Sequence, residues 1–264
     1  MNDALYVAAT GMQGQQLNVN TIANNIANVN TNGFKTSRVN FSDLVARDGT
    51  TVMQTAASQE AGALAVPSRL GLGLGVSSVA KLLEQGEVKK TGSDADLAIN
   101  GAGLLEVTLP DGTSAYTRGG TLKVNADGLL STLSGYPLKQ AISVPEGTSR
   151  VTIQADGRVQ IWPSDQSASI DAGQIELVHF RDQAALTSLG DGLFTENENT
   201  GAPISGHAGQ DGLGTFAQGF LEASNVKLVD EMVNLMVAQR AYEANVKVVQ
   251  SADEMLGLVN NLRK

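Results

Sequence analysis

From Leu5 onward, apolar side chains recur at Leu5, Ala8, Met12, Val19, Ile22, Ile26 and Val29, with only Gln15 breaking a series of alternating three- and four-residue steps. That heptad seam predicts a helix packing lengthwise on another helix. It should stop at Asn30-Thr31-Asn32-Gly33, where glycine supplies the left-handed cap. At 1.5 Å per residue the helix is roughly 40 Å long. A longer pattern closes the chain. Ser224-Asn225 offers an N-cap, and Asp230 and Glu231 lie near the positive helix end. Leu228, Met232, Leu235, Tyr242, Val246, Val249, Leu256 and Val259 follow as a seam interrupted at Gln239 and Asp253, and Arg263 and Lys264 sit at the negative end. This helix is roughly 55 Å long.

Between the two helices the period changes. Residues 46–75 are rich in Gly, Ala, Ser and Thr and read as an extended or irregular connector, with one strand at Val76–Leu82. Beyond it, Asp-Gly turn signals recur at Asp111-Gly112, Asp127-Gly128, Asp156-Gly157 and Asp191-Gly192. Strand-like runs flank them at Gly103–Leu109, Ser114–Arg118, Thr121–Asn125, Val151–Gln154 and Arg158–Trp162, and Ile175–Phe180 alternates cleanly. The predicted fold class is α+β: long N- and C-terminal helices, a coiled-coil-like pair, flanking an inserted all-β domain. The expected segments are an N-terminal assembly helix with its loop (1–45), the connector (46–92), the β-rich outer domain (93–220) and a C-terminal assembly helix (221–264). Neither terminal seam has a neighbouring helix in sequence. The helices must pair with each other, with other copies, or with both, because such a stripe in water exposes a large apolar patch.

Charge placement sharpens this picture. The net charge is −9, yet residues 1–45 and 226–264 each balance to zero, so the whole excess lies in the middle. Neutral ends and an acidic middle suit a polymer with packed ends and a solvated outer domain. An acidic surface argues against a nucleic-acid partner. Cysteine is absent, which removes disulfides and thiolate chemistry. The first residues lack a basic stretch leading into an apolar one, so a cleaved signal peptide is not expected. No apolar run approaches the ~18 residues of a membrane span, so no membrane insertion is expected.

Chemistry finds little footing. Gly71–Gly75 lacks the spacing of a phosphate loop and reads as linker. Asp94 and Asp96 lack the other ligands of a calcium loop. His179 and His207 are isolated and have no paired nucleophile. Trp162 reads as strand-end packing and Tyr242 as seam packing. No catalytic residue, cofactor, metal or small-molecule substrate is expected.

Residues 18–35 read NVNTIANNIANVNTNGFK, and seven of the fifteen positions from Asn18 to Asn32 are Asn. Asn is a poor helix former, and its amide donates and accepts at once, which suits contacts between parallel helices. This stretch resembles the signature of the bacterial flagellar axial family of rod, hook and hook-associated proteins. Residues 224–256 are similar to that family's C-terminal motif, notably at Ser224-Asn225-Val226, Glu231-Met232, Gln239–Glu243 and Asn245. Residues 111–138 resemble the β domain shared by rod and hook subunits. Length, the GTSAYTR run and the connector before GLGLGV look most like the distal-rod branch. Two departures stand out: Leu104-Leu105 where the family usually has two Phe, and Gly119 where Asp is usual.

The resemblance implies a structural subunit, exported by the flagellar type III route without cleavage, that polymerises into a hollow drive shaft in the basal body. Implied partners are other copies of the chain, other rod and hook proteins, and the P- and L-ring bushing proteins. The candidate assembly interface comprises Leu5, Met12, Val19, Ile22, Asn24, Asn25, Ile26, Asn28, Val29, Asn32, Gly33 and Phe34, then Asn225, Met232, Leu235, Gln239, Arg240, Tyr242, Glu243, Asn245, Val246 and Val249. Two rivals remain: a hook or other axial protein of the same family, and a β-domain glycan binder or enzyme with helical oligomerisation arms. Aromatics at 4% speak against the binder, and the lack of clustered His, Cys or carboxylates speaks against the enzyme.

Overall fold

The structure, a computed structural model, describes residues 2–45, 71–164 and 168–261. Helix α1 spans Asn2–Ala27 and helix α2 spans Leu228–Asn261, with Asp230 and Glu231 in the first turn of α2. The expected α+β class holds, since many short strands lie between the two helices. Most of the connector, residues 46–70, lies outside the described residues, as do Arg263 and Lys264.

The chain divides into two compact units. The first takes Met1–Ala23, Arg38–Val79 and Met232–Lys264. Its strands β1, Ser37–Val45, and β2, Gly71–Lys81, form a two-stranded sheet. The glycine-rich stretch read as linker is thus the start of β2, and the strand expected at Val76–Leu82 begins five residues earlier, at Gly71. Glycines let its parts approach closely. A Cβ on Gly14 of α1 would stand 2.6 Å from Leu74 Cδ2, and one on Gly11 would stand 2.9 Å from Asn245 Nδ2 of α2.

The second unit, Asn24–Ser37 with Ala80–Glu231, holds the remaining sheets. Each Asp-Gly signal falls between two paired strands. Asp111-Gly112 joins Leu105–Thr108 to Ser114–Thr117, Asp127-Gly128 joins Gly119–Val124 to Leu130–Thr132, Asp156-Gly157 joins Thr148–Ile153 to Arg158–Pro163, and Asp191-Gly192 joins Thr187–Gly190 to Leu193–Thr195. All four glycines have φ between 72° and 88°, the left-handed geometry for which glycine was expected. Two four-stranded sheets organise the core. One runs Thr187–Gly190, Leu193–Thr195, Ser114–Thr117, Leu105–Thr108; the other runs Thr215–Gln218, Asp96–Asn100, Gly119–Val124, Leu130–Thr132. Leu97, Ile99, Leu105, Val107, Ile161, Ile175 and Leu177 form the fully buried centre. A smaller cluster surrounds Phe180, whose ring meets Tyr116 edge-on at 4.7 Å. Leu104 packs in the smaller cluster and Leu105 in the larger, so the departure from two Phe leaves both positions in apolar cores.

A buried junction and an exposed helix face

Within the second unit, the last turn of α1 and the loop after it are fixed by side chains far apart in sequence. Asn25 is buried. Its amide donates to Ser37 O at 2.9 Å and to Glu231 Oε2 at 3.1 Å, and its Oδ1 accepts from Ser37 N at 2.9 Å. Gly33 turns the chain with φ 71° and donates its N–H to Glu222 O at 2.7 Å. Asn225 grips the same loop: its Oδ1 accepts from Thr36 N and Oγ1 at 2.8 and 2.7 Å, and its amide donates to Leu82 O at 2.8 Å.

At the centre lies a charge triad. Lys35 is fully buried, and its ammonium donates to Glu222 Oε1 and to Glu84 O, each at 2.6 Å. Glu222 Oε1 also accepts from Gly86 N at 2.7 Å, and its Oε2 accepts from Arg118 Nε at 3.0 Å. Arg118 Nη1 donates to the carbonyls of Gly101 and Gly103 at 2.9 and 2.8 Å, and its Nη2 donates to the Ile99 carbonyl at 3.4 Å. Burial pushes the Lys35 ammonium below its ordinary pKa, opposed by its bond to Glu222. Two cations therefore share one carboxylate, and backbone carbonyls complete their shells. Among the described residues no buried side-chain N or O lacks a partner, so this polar network meets the condition under which burial is tolerated. The triad ties the loop after α1, the sheets at the end of strand Ser114–Thr117 and the strand before α2, all within the second unit, to one point. Asn25→Ala should cost about 2–3 kcal/mol, because it orphans the Ser37 backbone and half of the Glu231 carboxylate; urea titration measures it, and a loss under ~0.5 kcal/mol would remove the residue from this role.

The candidate interface residues divide into two groups. Ile22 and Asn25 are buried within the chain, and Leu5, Met12, Val19, Ile26, Asn28, Val29, Gly33 and Phe34 are half-buried, whereas Asn24 and Asn32 are exposed. The Asn28 amide donates back to Asn24 O at 2.9 Å. On α2, Leu235, Asn225 just before the helix, Asn245, Val246 and Val249 are half-buried, whereas Met232, Gln239, Arg240, Tyr242 and Glu243 are exposed. Arg240 and Glu243 pair with each other along the helix at 2.9 Å. The side chains of Leu256 and Val259 lie outside the described residues.

Helix α2 is two-sided. Its buried positions beyond the first turn are Ala238 and Ala252, with Leu235, Asn245 and Val249 half-buried beside them. That stripe is small and partly polar, and it faces the close approach at Gly11. The bulky residues Val233, Val237, Val248, Met255 and Leu258 are all exposed, Val237 at 63%. Their spacings of four, eleven, seven and three keep them on one side of a 3.6-residue helix. Met232 and Met236 widen this strip.

The remaining candidates have structural partners. Asp96 accepts from Thr91 Oγ1 and Thr121 Oγ1, each at 2.6 Å, as a strand bracket. His179 Nδ1 lies 3.0 Å from Gln183 Nε2, and His207 is exposed on a strand. Among the described residues no helix is long and apolar enough to cross a membrane.

Comparison with known proteins gives matches at both ends and in the middle. Residues 5–35 match the family described as Flagella basal body rod protein, residues 98–161 match Flagellar hook protein FlgE/F/G D1 domain, and residues 217–262 match Flagellar basal body rod FlgEFG protein C-terminal. The chain is 40% identical to Flagellar basal-body rod protein FlgG of Buchnera aphidicola from Schizaphis graminum, over 99% of this chain and 100% of that one. It is 40% identical to the protein of the same description from Borreliella burgdorferi, over 100% of both, and 36% identical to that of Bacillus subtilis, over 99% of both.

Proposed function

The chain belongs to the FlgG family of flagellar basal-body rod proteins, and from that premise we propose how its geometry builds a rod. It is a structural subunit of the distal rod, located in the flagellar basal body. The proposed mechanism is polymerisation through α1 and α2 into a straight hollow shaft that carries torque from the motor to the hook. The ring proteins that surround the rod are the proposed partners of the β domain. Other rod and hook proteins continue the shaft at its two ends. The reading gives the chain no catalytic step, and the family's structural role supports it.

One observation carries the proposal. The chain covers one side of α2 and leaves the other, Val233, Val237, Val248, Met255 and Leu258, in solvent. Two apolar clusters, Val233 with Val237 and Val248 with Met255 and Leu258, flank Arg240, Ala244 and Lys247 on that side, and exposed clusters of this kind mark a contact for another protein. The junction explains how force reaches the helices: Asn25, Lys35, Glu222 and Asn225 lock the chain entering and leaving the second unit into one bonded network. Rigid, fully bonded elements transmit load with little give.

Val237→Asp tests the proposal. Val237 touches no core of its own chain, so thermal stability should stay within ~0.5 kcal/mol of the parent. A carboxylate buried at a contact between copies costs several kcal/mol, so motility and rod assembly should be lost. Cells that swim normally with this variant would overturn the proposal.

A further inference from the structure

The Asp-Gly steps of the second unit share one chemistry, yet the fold holds them in two different ways. At Asp111-Gly112, Asp127-Gly128 and Asp156-Gly157 the glycine N–H donates back to the carbonyls of Leu109, Asn125 and Gln154, at 2.9, 3.1 and 3.0 Å. Each of these aspartate side chains is held too. Asp111 Oδ1 accepts from Thr113 N and Oγ1 at 2.9 and 2.6 Å, Asp127 Oδ2 accepts from the Asn125 amide at 3.4 Å, and Asp156 Oδ1 accepts from Arg158 N at 3.1 Å. Asp191-Gly192 and Asp211-Gly212 differ at both places. Among the described residues neither glycine N–H meets an acceptor, and neither carboxylate meets a donor. The turns explain the difference. Here the Asp-Gly pair fills the two central positions of a turn that Gly190 with Leu193, or Gln210 with Leu213, closes. In the other three the glycine itself closes the turn. Asp191 and Asp211 are also exposed, and both have φ 51°, a left-handed conformation that an L residue adopts at a cost.

We infer that Asp191 and Asp211 are modification sites, where the folded chain isomerises its own backbone to isoaspartate. The glycine nitrogen attacks Cγ of the aspartate. A C–N bond forms, the Cγ–OH bond breaks, and the hydroxyl leaves with the nitrogen's proton as water. The five-membered imide then takes up one water. Opening at the main-chain carbonyl routes the chain through Cγ and adds a methylene to it; opening at Cγ restores aspartate. Water is released and consumed in equal measure, so no other reactant is needed. Closing the ring swings the glycine peptide plane. That motion breaks a hydrogen bond at the three held steps and none at Asp191 or Asp211. The carboxyl must also be protonated for its hydroxyl to leave as water, and Thr113 holds the Asp111 carboxyl below its ordinary pKa, which opposes this. At Asp191 the extra methylene enters the two-residue turn between Thr187–Gly190 and Leu193–Thr195, where loop length sets strand register. The inference goes beyond the rod role and does not depend on it.

The test holds the purified full-length chain in warm neutral buffer, and in parallel in urea, and maps isoaspartate by fragmentation mass spectrometry of its peptides. In buffer, isoaspartate at Asp191 and Asp211 should build up about fivefold faster than at Asp111, Asp127 and Asp156, the factor that one hydrogen bond of ordinary net strength supplies. In urea the rates should draw together, because each aspartate then precedes a glycine in an unfolded chain. Asparagine variants give a second reading, since their amide leaves as ammonia and the product gains mass. Asp191→Asn should deamidate about fivefold faster than Asp111→Asn in the folded protein, for the same one-bond reason. Equal build-up at all these steps in buffer would overturn the inference. So would the same ranking in urea as in buffer, or isoaspartate at Asp191 and Asp211 that forms only in urea.

Discussion

Glu222→Ala should destabilise the second unit by about 3–5 kcal/mol, the loss expected when one partner of a buried ion pair is removed. The reason is the arithmetic of the triad. Lys35 and Arg118 are both buried, and Glu222 is the one carboxylate they share, at 2.6 and 3.0 Å. Without it, two cations face only backbone carbonyls, and the Gly86 N–H loses its acceptor as well. Chemical denaturation followed by the fluorescence of Trp162, the chain's single tryptophan, reads the change, since Trp162 lies in the strand Arg158–Pro163 of the same unit. Glu87→Ala is the contrast. Glu87 also pairs with a lysine, Lys89 at 3.4 Å, but both side chains are more than half exposed, and exposed pairs contribute little. Its effect should stay below ~0.5 kcal/mol. A loss under 1 kcal/mol for Glu222→Ala would mean that water or another group replaces the carboxylate.

The second large effect concerns a departure from the family. Aspartate is usual at position 119, yet here Gly119 has φ 111°, and a Cβ would lie 2.5 Å from the Leu97 carbonyl oxygen. Leu97 sits in the adjacent strand, paired with Gly120, so backbone rather than a flexible side chain stands in the way. Restoring the family's residue, Gly119→Asp, should therefore cost roughly 2–4 kcal/mol, combining strain at an unfavourable φ with overpacking. Gly120→Ala separates the two contributions. Gly120 also has a positive φ, 134°, but no atom lies within 4 Å of its Cβ position, so strain alone should appear. If Gly119→Asp melts with the parent, the backbone at this turn relaxes in a way the surrounding sheet does not suggest. The glycine permits a strand path here that a side chain would forbid.

Local signals in the sequence located the architecture. The Asp-Gly dipeptides marked four hairpins because a tight turn needs positive φ at a defined position, and only the turn's own residues supply it. The terminal helices were legible because their periods span many turns. The register of the α2 contact was not. Val233 and Val237 on the exposed side and Leu235 and Val249 on the covered side are all apolar, so hydrophobicity marks two faces at once and cannot say which one the chain covers. The covered stripe is the less hydrophobic one, with Ala238, Asn245 and Ala252, because close approach to Gly11 favours small side chains over greasy ones. The triad was hidden for another reason. Lys35 and Glu222 are 187 positions apart, and Arg118 and Glu222 are 104 apart. No periodic pattern links such partners; only the folded topology brings them together. The asparagine density is visible in the sequence, and its amides suit contacts between parallel helices, with Asn24, Asn25, Asn28 and Asn32 as interface candidates. Asn25 instead closes an internal network, a role that chemistry alone could not separate from its exposed neighbour Asn24.

Over its 26 residues, helix α1 carries a single charged residue, Asp3. Contacts made through such a surface have almost no Coulomb part for dissolved ions to screen. The part of the proposed shaft that α1 joins should keep its stiffness whether the medium outside is fresh water or brine.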